Sequence, residues 1–199
     1  MNCEYIDCDR LEELKIFAKP KIKQKKNSVK VSKCLTNGIR IILIEFNKSN
    51  KMGAIGTIEG KKISEAFKYA TKKKLPVVAV VASSGIRIDE GTLALMQMIN
   101  MTAAVKKHSD KGLLYISVVT NPTLGGASAS FVSLADIIIA EKDAVYGFSG
   151  KRIIEQTTQE QLPKDFQTGQ YAKEHGMVDI VANKEEIKQS ISKLLRVHI

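Results

Sequence analysis

Two glycine-bearing stretches, Ser-Gly-Ile-Arg at 84–87 and Leu-Gly-Gly-Ala at 124–127, follow apolar runs in the chain, and the second lies in a segment, 121–131, that holds almost nothing able to do acid or base chemistry. Their chemistry lies in the main chain. Gly125 and Gly126 have no Cβ, so a ligand can approach the backbone closely, and a helix starting there adds a partial positive charge. Two amide N–H groups converging on one oxygen form an oxyanion hole, which stabilises the charge that develops on a thioester enolate or another developing oxyanion. Removing one donor from such a hole typically costs about 10²–10³ in rate. Paired glycines before a helix also serve as packing devices; a second glycine loop at 82–91, after a neighbouring strand, favours the chemical reading. No Ser/His/Asp arrangement accompanies them, so Ser128, Ser130 and Ser149 read as small packing residues or polar contacts.

Two such loops meet only if the strands before them end side by side. Residues 75–83 and 113–120 are continuous β-branched or apolar runs, suited to strands buried on both faces. Between them 91–109 reads as a long helix whose Met and Leu stripe is core, and 127–135 as a helix of small residues. Residues 35–46 read as a hairpin about Asn37-Gly38, and 62–74 as a helix closed by lysines. Two short strands about a turn are expected over 136–148, then a helix, a strand and an amphipathic terminal helix. This alternation predicts an α/β fold, a mostly parallel twisted sheet with covering helices and right-handed crossovers, whose ligands gather at the strand ends.

Composition agrees with a soluble α/β protein: 44% apolar residues, 6% aromatic, no Trp. No apolar stretch reaches the ~18 residues of a membrane span and no signal peptide opens the chain, so a cytoplasmic protein with no membrane partner is expected. Cys3, Cys8 and Cys34 form no CxxC pair and read as reduced thiols. The net charge is +10, concentrated in a lysine-dense stretch over 19–33 that contains no acid. We read residues 1–27 as a basic N-terminal extension and 28–199 as the domain. Such an arm attracts polyanions, whether RNA, a CoA nucleotide or an acidic partner. No aromatic residue interleaves the lysines and no nucleic-acid motif accompanies them, so a solvated arm is the plainer reading and RNA the lesser one.

The segments ASSGIRIDEGTLALMQM, GLLYISVVTNPTLGGASASFVSLADIIIAE, YGFSGKRIIEQT, LPKDFQTGQYAKEHGMVDIVAN and MGAIGTIEGKKISEAF together resemble the β subunit of bacterial acetyl-CoA carboxylase carboxyltransferase, in order over about residues 28–197. The resemblance implies a crotonase-like fold and transfer of a carboxyl group from carboxybiotin to acetyl-CoA, giving malonyl-CoA for fatty-acid synthesis. It implies catalytic backbone at Gly125 and Gly126, and a CoA and biotin site lined by Gly85, Ile86, Arg87, Ala127 and Gly150. Biotin on a carrier protein and a CoA thioester would be the reactants, with biotin's own nitrogen accepting the proton. The implied partners are a carboxyltransferase α subunit, biotin carboxyl carrier protein and biotin carboxylase, in an α₂β₂ assembly whose faces include 91–109 and 128–135. Lys61, Lys62, Lys151 and Arg152 would meet CoA phosphates or the carrier.

Three features depart from the family pattern. The four-cysteine zinc ribbon is replaced by the lysine-rich arm, so no zinc is expected. Ser84-Gly85-Ile86-Arg87 stands for Gly-Gly-Ala-Arg, and Asn121 for an Asp. An enoyl-CoA hydratase or isomerase would need carboxylates about where Ser130 and Gly150 stand. The alternatives left are a malonyl decarboxylase-type or other acyl-CoA carboxyltransferase subunit, or a non-catalytic partner-binding paralogue.

Overall fold

The computed structural model describes residues 4–14 and 27–198. Its strands form a seven-stranded sheet in chain order. β1 (Arg10–Glu13), β2 (Val29–Thr36) and β3 (Ile39–Phe46) are antiparallel. β3, β4 (Val77–Ser83), β5 (Tyr115–Thr123), β6 (Ile137–Glu141) and β7 (Ile180–Ala182) are parallel. Asn37 and Gly38, both at positive φ, make the expected hairpin turn.

Because spatial order follows chain order, every parallel connection steps the same way. Right-handed crossovers then stack α1 (Thr57–Lys73), α2 (Gly91–Ser109) and α3 (Gly125–Ser130) on one face. α4 (Lys151–Thr158) and α5 (Gly169–Glu174) lie in the β6–β7 connection, and α6 (Lys184–His198) covers the opposite face with Ile6. Ile42, Ile44, Val77, Ala79, Val81 and Val119 point toward the first layer, whereas Ile41, Leu43, Val78, Val80, Ile116 and Val118 point toward the second. Burial on both faces is why these strands read as unbroken apolar runs; each such side chain contributes about 1.5–3 kcal/mol.

Local departures from expectation have local causes. The first long helix starts at Thr57 rather than 62, because Gly60 lets α1 press on α2: a Cβ there would lie 2.3 Å from the Gln97 Cβ. A second strand within 136–148 does not form; Val145 and Tyr146 make only single bridges, to Thr168 and Thr123. Cys8 and Cys34, expected as reduced thiols, are joined in a disulfide, since pairing of β1 with β2 brings their Cα atoms to 5.7 Å. Residues 4–14 of the expected extension are therefore built onto the sheet, with Ile6 buried. The arm's lysines from 19 to 26 lie outside the described residues.

Candidate functional site

β4 and β5 end together, which places the two glycine loops in contact. Past a register shift at Val81/Ser83, Ser83 pairs with Thr123, and the Leu124 amide donates to Ser83 O at 2.9 Å. Thr120 and Thr123 both donate their hydroxyls to Val81 O, holding the strand ends through a cis Asn121–Pro122 bond. Gly85 (φ 113°) and Gly125 (φ 61°) then meet face to face: a Cβ on Gly85 would lie 3.4 Å from both the Gly125 Cα and the Gly126 nitrogen. Both conformations favour glycine.

The amides of the two loops have different fates. Gly125, expected to serve an oxyanion, donates its N–H to Phe148 O at 2.8 Å, so its amide is committed to the fold. Gly126 stands in the first turn of α3, where no carbonyl one turn back accepts its N–H. On the other loop the Gly85 amide is held by Ser83 Oγ at 3.1 Å. Ile86 bridges Ile55 in parallel fashion: Ile55 N donates to Gly85 O and Arg87 N to Ile55 O, so the Ile86 N–H points away from Ile55. Gly126, the remaining expected donor, and Ile86, expected only to line the substrate site, thus both keep amides with no acceptor among the described residues.

Side chains around these amides mostly support backbone. Ser128 Oγ donates to Gly125 O and Gly147 O, and Ser130 Oγ to Gly126 O, which agrees with their reading as polar packing residues. Ala127, expected to line the substrate site, is fully buried with its methyl in the core. Gly150 caps α4 at the N-terminus and faces open space. Gln167, which sequence reasoning missed, is buried against Gly147, donates to Ser149 O at 2.6 Å and holds the 147–150 loop.

Arg87, expected in the loop that lines the CoA and biotin site, turns its guanidinium inward, donating to Glu59 (2.9 Å), Glu90 (2.6 Å) and Ala54 O (3.2 Å). Burial would lower its pKa, but the hydrogen bonds and charges of Glu90 and Glu59 outweigh this and raise it. Burial likewise opposes ionisation of Glu90, while the Thr57 amide and Arg87 hold that carboxyl below its ordinary range. Lys62 and Lys151 are also turned to the protein, donating to Val29 O and to Leu162 and Pro163 carbonyls. Burial lowers the Lys62 pKa against the pull of Glu13 and Glu59. Arg152 is exposed.

A family model described as "carboxyl transferase domain" matches residues 12–196. The chain belongs to the carboxyl transferase family. An acetyl-coenzyme A carboxylase carboxyl transferase subunit beta 1 from Lachnospira eligens is 44% identical over 173 residues, 87% of this chain and 67% of that protein. The corresponding subunit beta from Prochlorococcus marinus (strain MIT 9215) is 44% identical over 165 residues, 83% of this chain and 56% of that protein. This carboxyl transferase chain thus spans a little over half to two thirds of the length of such relatives. Transcarboxylase 12S, solved with methylmalonyl-coenzyme A and methylmalonic acid bound, superposes with a TM-score of 0.84 at 25% identity, covering 96% of this chain and 39% of that one. A Pseudomonas malonate decarboxylase MdcD-MdcE hetero-dimer shares the fold at a TM-score of 0.80 and 20% identity, over 96% and 82% of the two chains. The crotonase-like α/β fold expected for a carboxyl transferase is the one observed.

Proposed function

We propose that this chain is the β-type part of an acetyl-CoA carboxylase carboxyltransferase, transferring a carboxyl group from carboxybiotin to acetyl-CoA. The observation that carries the reading is the meeting of two loops that leave the Ile86 and Gly126 amides unspent around the contact of Gly85 with Gly125. A thioester carbonyl oxygen seated there takes two N–H donors, and the negative charge it gains as the methyl loses a proton is stabilised without any ionisable side chain. Breaking the N–C bond of carboxybiotin on its carrier would release the carboxyl group as CO2 and leave the ureido nitrogen to take the methyl proton, and the enolate carbon would then bond to the CO2. The chain's own part is to hold the thioester in line and to supply the dipoles.

The remaining half of the site comes from an α-type subunit in this proposal. Leu93, Leu95, Met96 and Ile99 are exposed on the amino-terminal half of α2, next to exposed Ile88 in the second loop. An apolar surface of this kind beside the loops fits a partner that closes over the thioester. No helix among the described residues is long and apolar enough to cross a membrane, and the proposed setting is the cytoplasm.

The test is co-expression with the α subunit of the same host, then malonyl-CoA-dependent carboxylation of biocytin. A stable complex with turnover is expected. A chain that neither binds α nor supports turnover would overturn the proposal and leave a non-catalytic paralogue.

A further inference from the structure

The Ile86 amide can act only if the loop carrying it is held in register with Gly126. Main-chain bonds provide part of the hold: Ser84 N to Met52 O (2.9 Å), Ile55 N to Gly85 O (2.8 Å) and Arg87 N to Ile55 O (2.8 Å) pair the loop with residues 52–55. Ser83 Oγ donates to Gly53 O at 2.8 Å. Ser83 ends β4, and the other bonds tie one loop to another. The anchorage to the helices α1 and α2 runs through a partly buried ionic cluster centred on Arg87.

Arg87 forks between two carboxylates. Glu59, 2% exposed, sits in the first turn of α1; it accepts from Arg87 through Oε1 and from the Gly56 amide through Oε2. Glu90, just before α2, accepts from Arg87 through Oε1 and from the Thr57 amide through Oε2 at 2.7 Å. Gly56 leaves no room for slack: a Cβ there would lie 2.3 Å from Glu90 Oε1 and 2.7 Å from Arg87 Nη1. One guanidinium thus locks the starts of α1 and α2 to the residue that follows Ile86.

We propose that Arg87 is a positioning residue: through Glu59 and Glu90 it fixes the Ile86 amide, and it does not bind CoA phosphates. The inference rests on the oxyanion reading above. A planar fork matches two carboxylates at once, which a lysine ammonium cannot do, so Arg87→Lys keeps the charge and loses the geometry.

The test compares wild type, Arg87→Lys and the charge-balanced pair Arg87→Met/Glu59→Gln, each assembled with the α subunit. Acetyl-CoA and the truncated acetyl-pantetheine serve as acceptors. Both variants are expected to lower kcat at least 10-fold with KM for acetyl-CoA changed less than threefold, and by the same factor for both acceptors. A defect seen with acetyl-CoA but absent with acetyl-pantetheine would assign Arg87 to the phosphates and overturn the proposal. So would variants that turn over like wild type. Amide NMR of the chain without substrate keeps the question separate from turnover: Arg87→Lys should shift the Ile86 cross-peak while leaving peaks from α6 in place. An unmoved Ile86 peak overturns the positioning role even if the enzyme is active. A shifted peak in a chain whose wild type shows no carboxyl transfer would retain the mechanical role and remove the oxyanion reading.

Discussion

The side chain of Ile86 lies against the α-carbon of Gly126: a Cβ on Gly126 would fall 2.3 Å from Ile86 Cγ1 and 3.1 Å from Met98 Sδ. The two residues that offer unspent amides are thus also packed on each other. Gly126→Ala is expected to destabilise the chain by about 1–3 kcal/mol through overpacking. Adding Ile86→Ala should recover most of that loss, because it removes the atoms in the way. Urea titration of the two single variants and the double variant checks this; equal midpoints for Gly126→Ala with and without the second change would refute the contact.

Gly53 and Gly91 make a matched comparison. Both have positive φ, 69° and 58°, but a Cβ on Gly53 would sit 1.8 Å from Ala82 O, whereas nothing lies within 4 Å of one on Gly91. Gly91→Ala, with free space around it, should cost about 1–3 kcal/mol of backbone strain, since φ 58° with ψ −141° lies outside the left-handed helical region. Gly53→Ala must displace strand β4 and should leave little soluble protein. Thermal melts of both variants, with soluble yield, decide the point.

His108 is buried between Thr71, the Leu114 carbonyl and the Phe67 ring, and burial lowers its pKa despite the Leu114 bond and Asp136. The folded chain therefore holds it neutral. In the unfolded chain it takes up a proton near its ordinary value of about 6.5. Its contribution is fully present above that value and falls as pH drops through it, since the unfolded state then binds the extra proton. Denaturant midpoints should decline from pH 7.5 to 5.5, and His108→Gln should flatten the part of that slope near pH 6.5.

Reducing Cys8–Cys34, which spans a sequence separation of 26, should cost about 3–4 kcal/mol by the chain-entropy estimate. Cys34→Ser should lower Tm to match wild type in dithiothreitol. Identical Tm values for wild type with and without reductant would contradict a stabilising bridge.

Leu95 and Ile99, 57% and 60% exposed, should tolerate Glu in the isolated chain with little change in Tm. In the co-expressed complex Leu95→Glu/Ile99→Glu should cut α-subunit recovery more than 10-fold. Unchanged pull-down would move the partner surface elsewhere.

Much of the site's frame was legible because local chemistry and tertiary demand agreed. Asn37-Gly38 can hardly be anything but a hairpin turn, and the limits 91–109 for α2 follow from a glycine start and a basic end. The run at 77–83 is buried on both faces, as its unbroken β-branched composition predicts. The start of α1 was hidden by Gly56 and Gly60, which look like loop residues along the chain and are close packing points in space. β1 was hidden because its RLEE sequence is mostly exposed at a sheet edge and carries no alternating pattern.

The α/β class and the placing of glycine loops after strand ends follow from residue type and spacing along one chain, and the family from the likeness of its segments to known carboxyl transferases. Which amides stay available is a matter of tertiary structure. Gly125 and Gly126 are neighbours with identical side chains, yet Phe148, far along the chain, takes the N–H of one and leaves the other. Tertiary structure also decided that Arg87 faces two carboxylates, the buried Glu59 and the partly buried Glu90, rather than solvent. Hydrogen bonds between distant residues are set by where the backbone comes to rest, and no local pattern records that.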